Sequence, residues 1–283
     1  MNKIGFMQGR LSPPSAPDII QEFPSANWQN EYSDAAKIGF RTIEWTLDFD
    51  GLERNPLMNT GGREEIKALC SKYHIEVASI TGDCFMQAPF WKANGRQKRY
   101  LVQMLEGVVN VMPAVGAKIL VVPLVDNGTI KSRQESMSVL EVCQNLAPDL
   151  RANGCQIAFE TDFEPKRAAS FISMFPADIC GINYDIGNSA SLGFNVSEEF
   201  AAYGERIVNV HVKDRSLGGS TVPLGEGNAQ LDVTFKILSE ARYAGNYILQ
   251  TARALDGDHK GVLKTYLDIT RRYLDQYEPR TSG

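Results

Sequence analysis

The sequence predicts an α/β fold, a single (β/α)8 TIM barrel over residues 1–283, and three observations carry that expectation. Eight short β-branched or apolar runs follow one another along the chain: KIGFMQ, RTIEWT, EVASIT, KILVVPL, QIAFET, GINYDI, IVNVHV and YILQT. Between them lie segments with apolar residues at helical spacing, as in Gly62–His74, Arg96–Gly116 and Arg133–Gly154. No compositional break or linker divides the chain, and most strand-to-strand intervals reach the roughly 30 residues of a right-handed βαβ unit. A doubly wound open sheet is the alternative, but no strand runs into a GxGxxG turn.

Taken in order, the first strand opens almost at the N-terminus and leads into Arg10–Trp28, a long stretch stiffened by four prolines. The third strand is followed by Gly82–Gly95, which carries Phe85, Met86, Phe90 and Trp91. In a barrel of this kind both stretches lie on the face where the strands end, which is the active-site face. They are either lids over a site or loops whose aromatic residues pack on their neighbours. Helices are expected to stop at Gly39, Gly116, Gly154 and Gly245, each just before the next strand.

Composition narrows the function classes. With 283 residues, 43% of them hydrophobic, the chain can bury a full core. Its longest apolar runs, such as Ile119–Val125, fall far short of the roughly 18 residues of a membrane span. MNKIGFMQGR lacks the charged start and apolar middle of an export signal. Five cysteines without CxxC spacing argue against a disulfide framework or thiolate metal site and for a cytoplasmic protein. A net charge of -5 and a pI near 5.4 disfavour nucleic acid as a partner and suit a small metabolite. Whether the chain forms a homo-oligomer is left open.

The chemistry is concentrated at the C-terminal tips of strands five to eight: Glu160 in AFETD, Asp185 in YDIGN, His211 in VHVKD and Gln250 in ILQTA. A closed parallel barrel brings these tips to one mouth. Singly, each has a bland explanation: the carboxylates as helix caps, the histidine as a hydrogen-bonded core residue, the glutamine as nothing in particular. Jointly, one donor per successive strand is the pattern of a divalent-metal site able to hold the oxygens of a sugar. Arg10, Glu44, Lys213, Arg215 and Arg253 also fall at strand ends, and Arg10 and Arg253 suit a phosphate or carboxylate on the substrate. Against that, Glu44 and Arg41 fit a structural pair, and Lys213 with Asp214 fits a rim bridge.

These motifs resemble the xylose-isomerase-like TIM-barrel superfamily of sugar and sugar-phosphate isomerases and epimerases, and most closely its L-ribulose/L-xylulose 5-phosphate 3-epimerase and hexulose-6-phosphate isomerase branch. The similar stretches are IGFMQGRL, GFRTIEW, YDIGN, VHVKD, VPLGEGNAQLD and YAGNYILQ, so the likeness covers nearly the whole chain. It implies one divalent ion (Mn, Mg, Co or Zn) on Glu160, Asp185, His211 and Gln250, with Glu160 as catalytic base. Gln250 is a departure, because the family places a second glutamate there; an amide oxygen can ligate but cannot exchange a proton at neutral pH. Asn188 is another, since many relatives carry a substrate-contacting histidine at that point. The resemblance therefore implies an isomerase or epimerase acting on a sugar or sugar phosphate through an enediolate. A dehydratase of a keto-polyol on the same barrel, or a metal-free ligand-binding barrel, are the alternatives. An apurinic-endonuclease-like activity is disfavoured by the acidic charge and by a total of three histidines.

Overall fold

The computed structural model describes residues 3–16, 19 and 21–277. Eight parallel strands close into a barrel: β1 (Lys3–Met7), β2 (Thr42–Thr46), β3 (Glu76–Thr81), β4 (Ile119–Leu124), β5 (Gln156–Thr161), β6 (Cys180–Asp185), β7 (Ile207–Val212) and β8 (Asn246–Leu249). Every expected strand is present, each paired with its neighbours in sequence, and β8 closes the ring on β1. A two-stranded antiparallel hairpin, Asp214–Arg215 against Thr221–Val222, rises from the end of β7.

The crossovers follow from pattern and caps. Helices α1 (Trp28–Ile38) and α2 (Thr60–Tyr73) are followed by α3 (Asp83–Gln87), α4 (Gly95–Val115), α5 (Arg133–Asn153) and α6 (Pro165–Ile172). Asn59 and Ser132 cap α2 and α5 by accepting from the amides of Gly62 and Glu135. Gly39, Gly116 and Gly154 end their helices with φ of 104°, 87° and 58°, a left-handed turn that glycine adopts without strain. Gly245 does not: the helix before β8 stops at Glu240, and Arg242 takes the left-handed conformation instead. What Gly245 provides is room, since a side chain there would run into the ring of Tyr243.

Apolar residues from strands and helices form one continuous core around the barrel, with aromatic contacts such as Phe159 on Phe171 and Phe235 stacked on Tyr247 linking the two layers. The aromatic stretch after β3 belongs to that core. Phe85, Phe90 and Trp91 are buried, Phe90 and Trp91 meet edge to face, and Trp91 Nε1 donates to the Gly128 carbonyl in the β4 loop at 3.0 Å. Packing on a neighbouring loop, the plainer of the two expectations, accounts for them. Among the described residues no helix is long and apolar enough to cross a membrane.

Candidate metal centre

Side chains alternate across a strand, so residues two apart on an inward-facing register line the barrel interior in layers. In β6 and β7 that register brings Asp185 beside His211 and, one layer below, Asn183 beside Asn209. Glu160, at the end of β5, joins them. One donor atom from each of Glu160, Asp185 and His211 lies within 4.8 Å of the others, and all three residues are buried.

The histidine is oriented from behind. Its Nε2 is 2.7 Å from Glu44 Oε1, and Glu44 is itself fully buried. The other Glu44 oxygen accepts from Ser79 Oγ at 2.6 Å and Asn209 Nδ2 at 3.0 Å. A carboxylate at Nε2 fixes the proton there and leaves Nδ1 as the nitrogen that faces the carboxylates. That nitrogen is 3.1 Å from Glu160 Oε2 and 3.8 Å from Asp185 Oδ2. Three lone-pair donors converging in this way repel one another unless a cation or a proton sits among them. Consistently, burial would lower the His211 pKa, yet the Glu44 charge and the bonds from Asp185 and Glu160 push it well above its ordinary value. The donor set, two carboxylates and one imidazole, fits a divalent ion.

The carboxylates are equally constrained. Asp185 Oδ1 caps α7 (Ile186–Leu192) by accepting from the Asn188 amide at 2.8 Å, so the residue is both a helix cap and a candidate ligand through Oδ2. Burial tends to raise its carboxyl, but Lys213 and His211 outweigh that and bring the pKa to about 2. Glu160 accepts from Asn188 Nδ2 at Oε1 and from Asn183 Nδ2 at Oε2, both at 2.7 Å. Arg215 donates to Asn188 Oδ1 at 2.9 Å, which turns the Asn188 amide group toward Glu160.

The remaining sequence candidates divide. Gln250 follows β8 directly and reaches the cluster through an intermediary: its Oε1 accepts from Lys213 Nζ at 2.9 Å, and that ammonium lies 2.6 Å from Asp185 Oδ2. Glu44, expected at the substrate, has both oxygens engaged behind the histidine, and its partners are Ser79, Asn209 and His211 and not Arg41. Arg10 is buried, and its pKa falls to about 9 through burial and the repulsion of Arg253, with Asp83, Asp185 and Glu31 acting the other way. Arg253, also expected to meet substrate, donates through one guanidinium nitrogen to the Gly9 and Ser12 carbonyls, both at 2.7 Å. Its Nε and the other terminal nitrogen are buried without a hydrogen-bond partner.

Sequence reasoning passed over Asn183, Asn209, Asp83 and Glu31. The first two had a signal: each is a polar residue inside an apolar strand, two positions before a candidate ligand, hence on the same inward face. Asp83, at the β3 end, sits in a site where burial, with Asp48 and Glu160 nearby, raises its pKa to about 7.

A family model described as a xylose isomerase-like TIM barrel matches residues 32–271. No curated protein matches the sequence. Among solved structures, a xylose isomerase domain protein from Planctomyces limnophilus is 15% identical, with 98% of each chain covered and a TM-score of 0.75. D-psicose 3-epimerase from Clostridium cellulolyticum H10, solved with D-tagatose, is 13% identical over 96% of this chain and 99% of its own, TM-score 0.73. IolI protein with a bound zinc atom is 17% identical over 97% and 99%, TM-score 0.73. At these identities the structural likeness establishes the fold.

Proposed function

The chain belongs to the xylose isomerase-like TIM-barrel family, and on that premise we propose that it is a divalent-metal-dependent isomerase or epimerase of a small sugar, sugar acid or sugar phosphate. The observation that carries the proposal is the convergence of Glu160, Asp185 and His211 Nδ1 on one point at the barrel mouth, with Nε2 held by Glu44. The sugar epimerase and the zinc-bearing protein among the structural neighbours lend it support.

A divalent ion there would supply Lewis acidity toward a carbonyl and its neighbouring hydroxyl, making the adjacent C–H easier to ionise. Glu160 is the base that takes that proton as the enediolate forms. Amide bonds to both of its oxygens hold the carboxylate in one orientation. Lys213 on Asp185, Arg215 on Asn188 and Arg10, whose charge acts on Asp185, bring positive charge to the site, suited to hydroxyl, carboxylate or phosphate oxygens of the substrate. At position 250, where the family resemblance implies a second glutamate that returns the proton from the opposite face, this chain has a glutamine. With one base, moving a proton between adjacent carbons on one face is the easier reaction, so the reading favours an aldose–ketose shift over inversion at C3.

The test is a screen of ketoses, ketose phosphates and keto sugar acids in heavy water with added Mn2+, followed by NMR. Exchange of a carbon-bound hydrogen together with formation of an aldose is the expected result. Efficient inversion at C3 would overturn the one-base argument, and absence of exchange with every candidate would overturn the reaction class.

A further inference from the structure

Lys213 is the residue that interrupts the donor set. Its stem crosses the first turn of α7 at Gly187, where an added Cβ would stand 2.7 Å from Lys213 Cγ and 3.0 Å from its Cβ. Glycine at that position therefore leaves a lane for the lysine, and a larger residue would push it out. The lane delivers the ammonium to 2.6 Å from Asp185 Oδ2 and 2.9 Å from Gln250 Oε1. Asp185 Oδ1 is already engaged as the cap of α7, so Oδ2 is the oxygen left for a metal, and it is the oxygen the lysine holds. The backbone N–H of Gln250 donates to the Val212 carbonyl at 3.1 Å, which holds the chain at position 250 alongside the end of β7.

We propose that Lys213 is a tethered cation that competes with the divalent ion for Asp185 and Gln250, and that the glutamine is matched to the lysine. This rests on the metal-dependent reading above. An ammonium and a divalent ion at contact distance from one buried oxygen repel each other strongly where water is excluded, so each weakens the hold of the other. A glutamate at position 250 would give the ammonium two carboxylates and hold it in place. A neutral amide accepts one hydrogen bond from it and keeps it displaceable. The pair sets a lower affinity for the ion, and faster exchange, than a three-carboxylate site would have.

The experiment is calorimetric titration of MnCl2 into metal-free wild type, Lys213→Met, Gln250→Glu and the double variant, with Lys213→Gln as a second lysine replacement in case the methionine variant folds poorly. Removing a charge-assisted bond to Asp185 is expected to tighten Mn2+ binding about tenfold or more. Gln250→Glu is expected to tighten it further in the Lys213→Met background than alone, because the lysine no longer occupies the new carboxylate. Unchanged affinity in both lysine variants would overturn the competition, and additive effects would overturn the matching of the pair. If no variant binds Mn2+, Gln250→Glu included, the metal-dependent reading falls and this inference with it.

Discussion

At the tips of β5 to β7, buried charged side chains turn toward one another; at the tips of β8 and β1, they turn toward backbone. Glu160, Asp185 and His211 face a common point, and Asn188 and Glu44 fix their orientation from outside. Asn183 Nδ2, between Glu160 Oε2 and His211 Nδ1 at 3.1 Å from the latter, and the Lys213 ammonium on Asp185 Oδ2 are the groups a cation there would displace. On the other arc, Glu31 accepts from the Gly9 and Leu11 amides and from Ser12 Oγ, while Arg253 donates to the Gly9 and Ser12 carbonyls. Between them they clamp the turn in which Gly9 takes φ of 94°. The residue types are alike on the two arcs. What separates a candidate reactive centre from scaffold is where the polar atoms point: into a shared space, or onto the chain's own peptide groups.

The largest effect should come from the first arc. His211→Ala removes the single nitrogen donor and is expected to weaken Mn2+ binding beyond the roughly 10–100-fold that loss of an outer partner costs. Calorimetry reads this directly, and wild-type affinity in the variant would break the contrast between the arcs. Glu44→Ala, which frees the ring to turn and to move its proton, should fall within about 10–100-fold. A purely structural Glu44 would lower the melting temperature and leave affinity untouched.

Effects on the second arc should appear in stability. Burial raises the Glu31 carboxyl to about 7, even though the Gly9, Ser12 and Leu11 bonds and the Arg253 charge pull it down. The folded chain therefore holds that proton more tightly than the unfolded chain. Its contribution is fully present below the ordinary carboxylate range, and stability falls as pH rises toward 7 and stays lower above it. Glu31→Gln should flatten the decline in melting temperature between pH 5 and pH 8, a difference on the order of 1–3 kcal/mol, with Mn2+ affinity retained. An unaltered slope would show that Glu31 does not carry it. A change of comparable size is expected for Arg253→Met, which loses two bonds to backbone carbonyls: about 1–3 kcal/mol in denaturant unfolding, again with metal binding intact. Lost metal binding would move Arg253 into the reactive arc.

The fold was open to the sequence because period and punctuation agree in this chain: all eight strand runs formed, and three of four glycines ended helices as expected. Gly245 misled because a glycine before a strand also serves close packing, here against Tyr243. At the site, chain order told which residues share a mouth but not what each polar atom meets there. Glu44 lies at a strand end like the substrate candidates, yet its carboxylate reaches under His211, a contact 167 residues away in sequence. The lane over Gly187 that brings Lys213 to Asp185 depends on the start of one helix passing the end of another strand, which no local pattern encodes. Asn183 and Asn209 were legible by alternation alone.

The proposed metal centre rests on Glu160, Asp185 and His211. Diffraction from crystals soaked in Mn2+, recorded at a wavelength where manganese scatters anomalously, addresses it most directly. One strong peak per chain is expected within bonding distance of His211 Nδ1, Glu160 and Asp185 Oδ2, with Lys213 Nζ displaced from that oxygen. A map with no peak there, or with the peak elsewhere while Lys213 stays on Asp185, would contradict it.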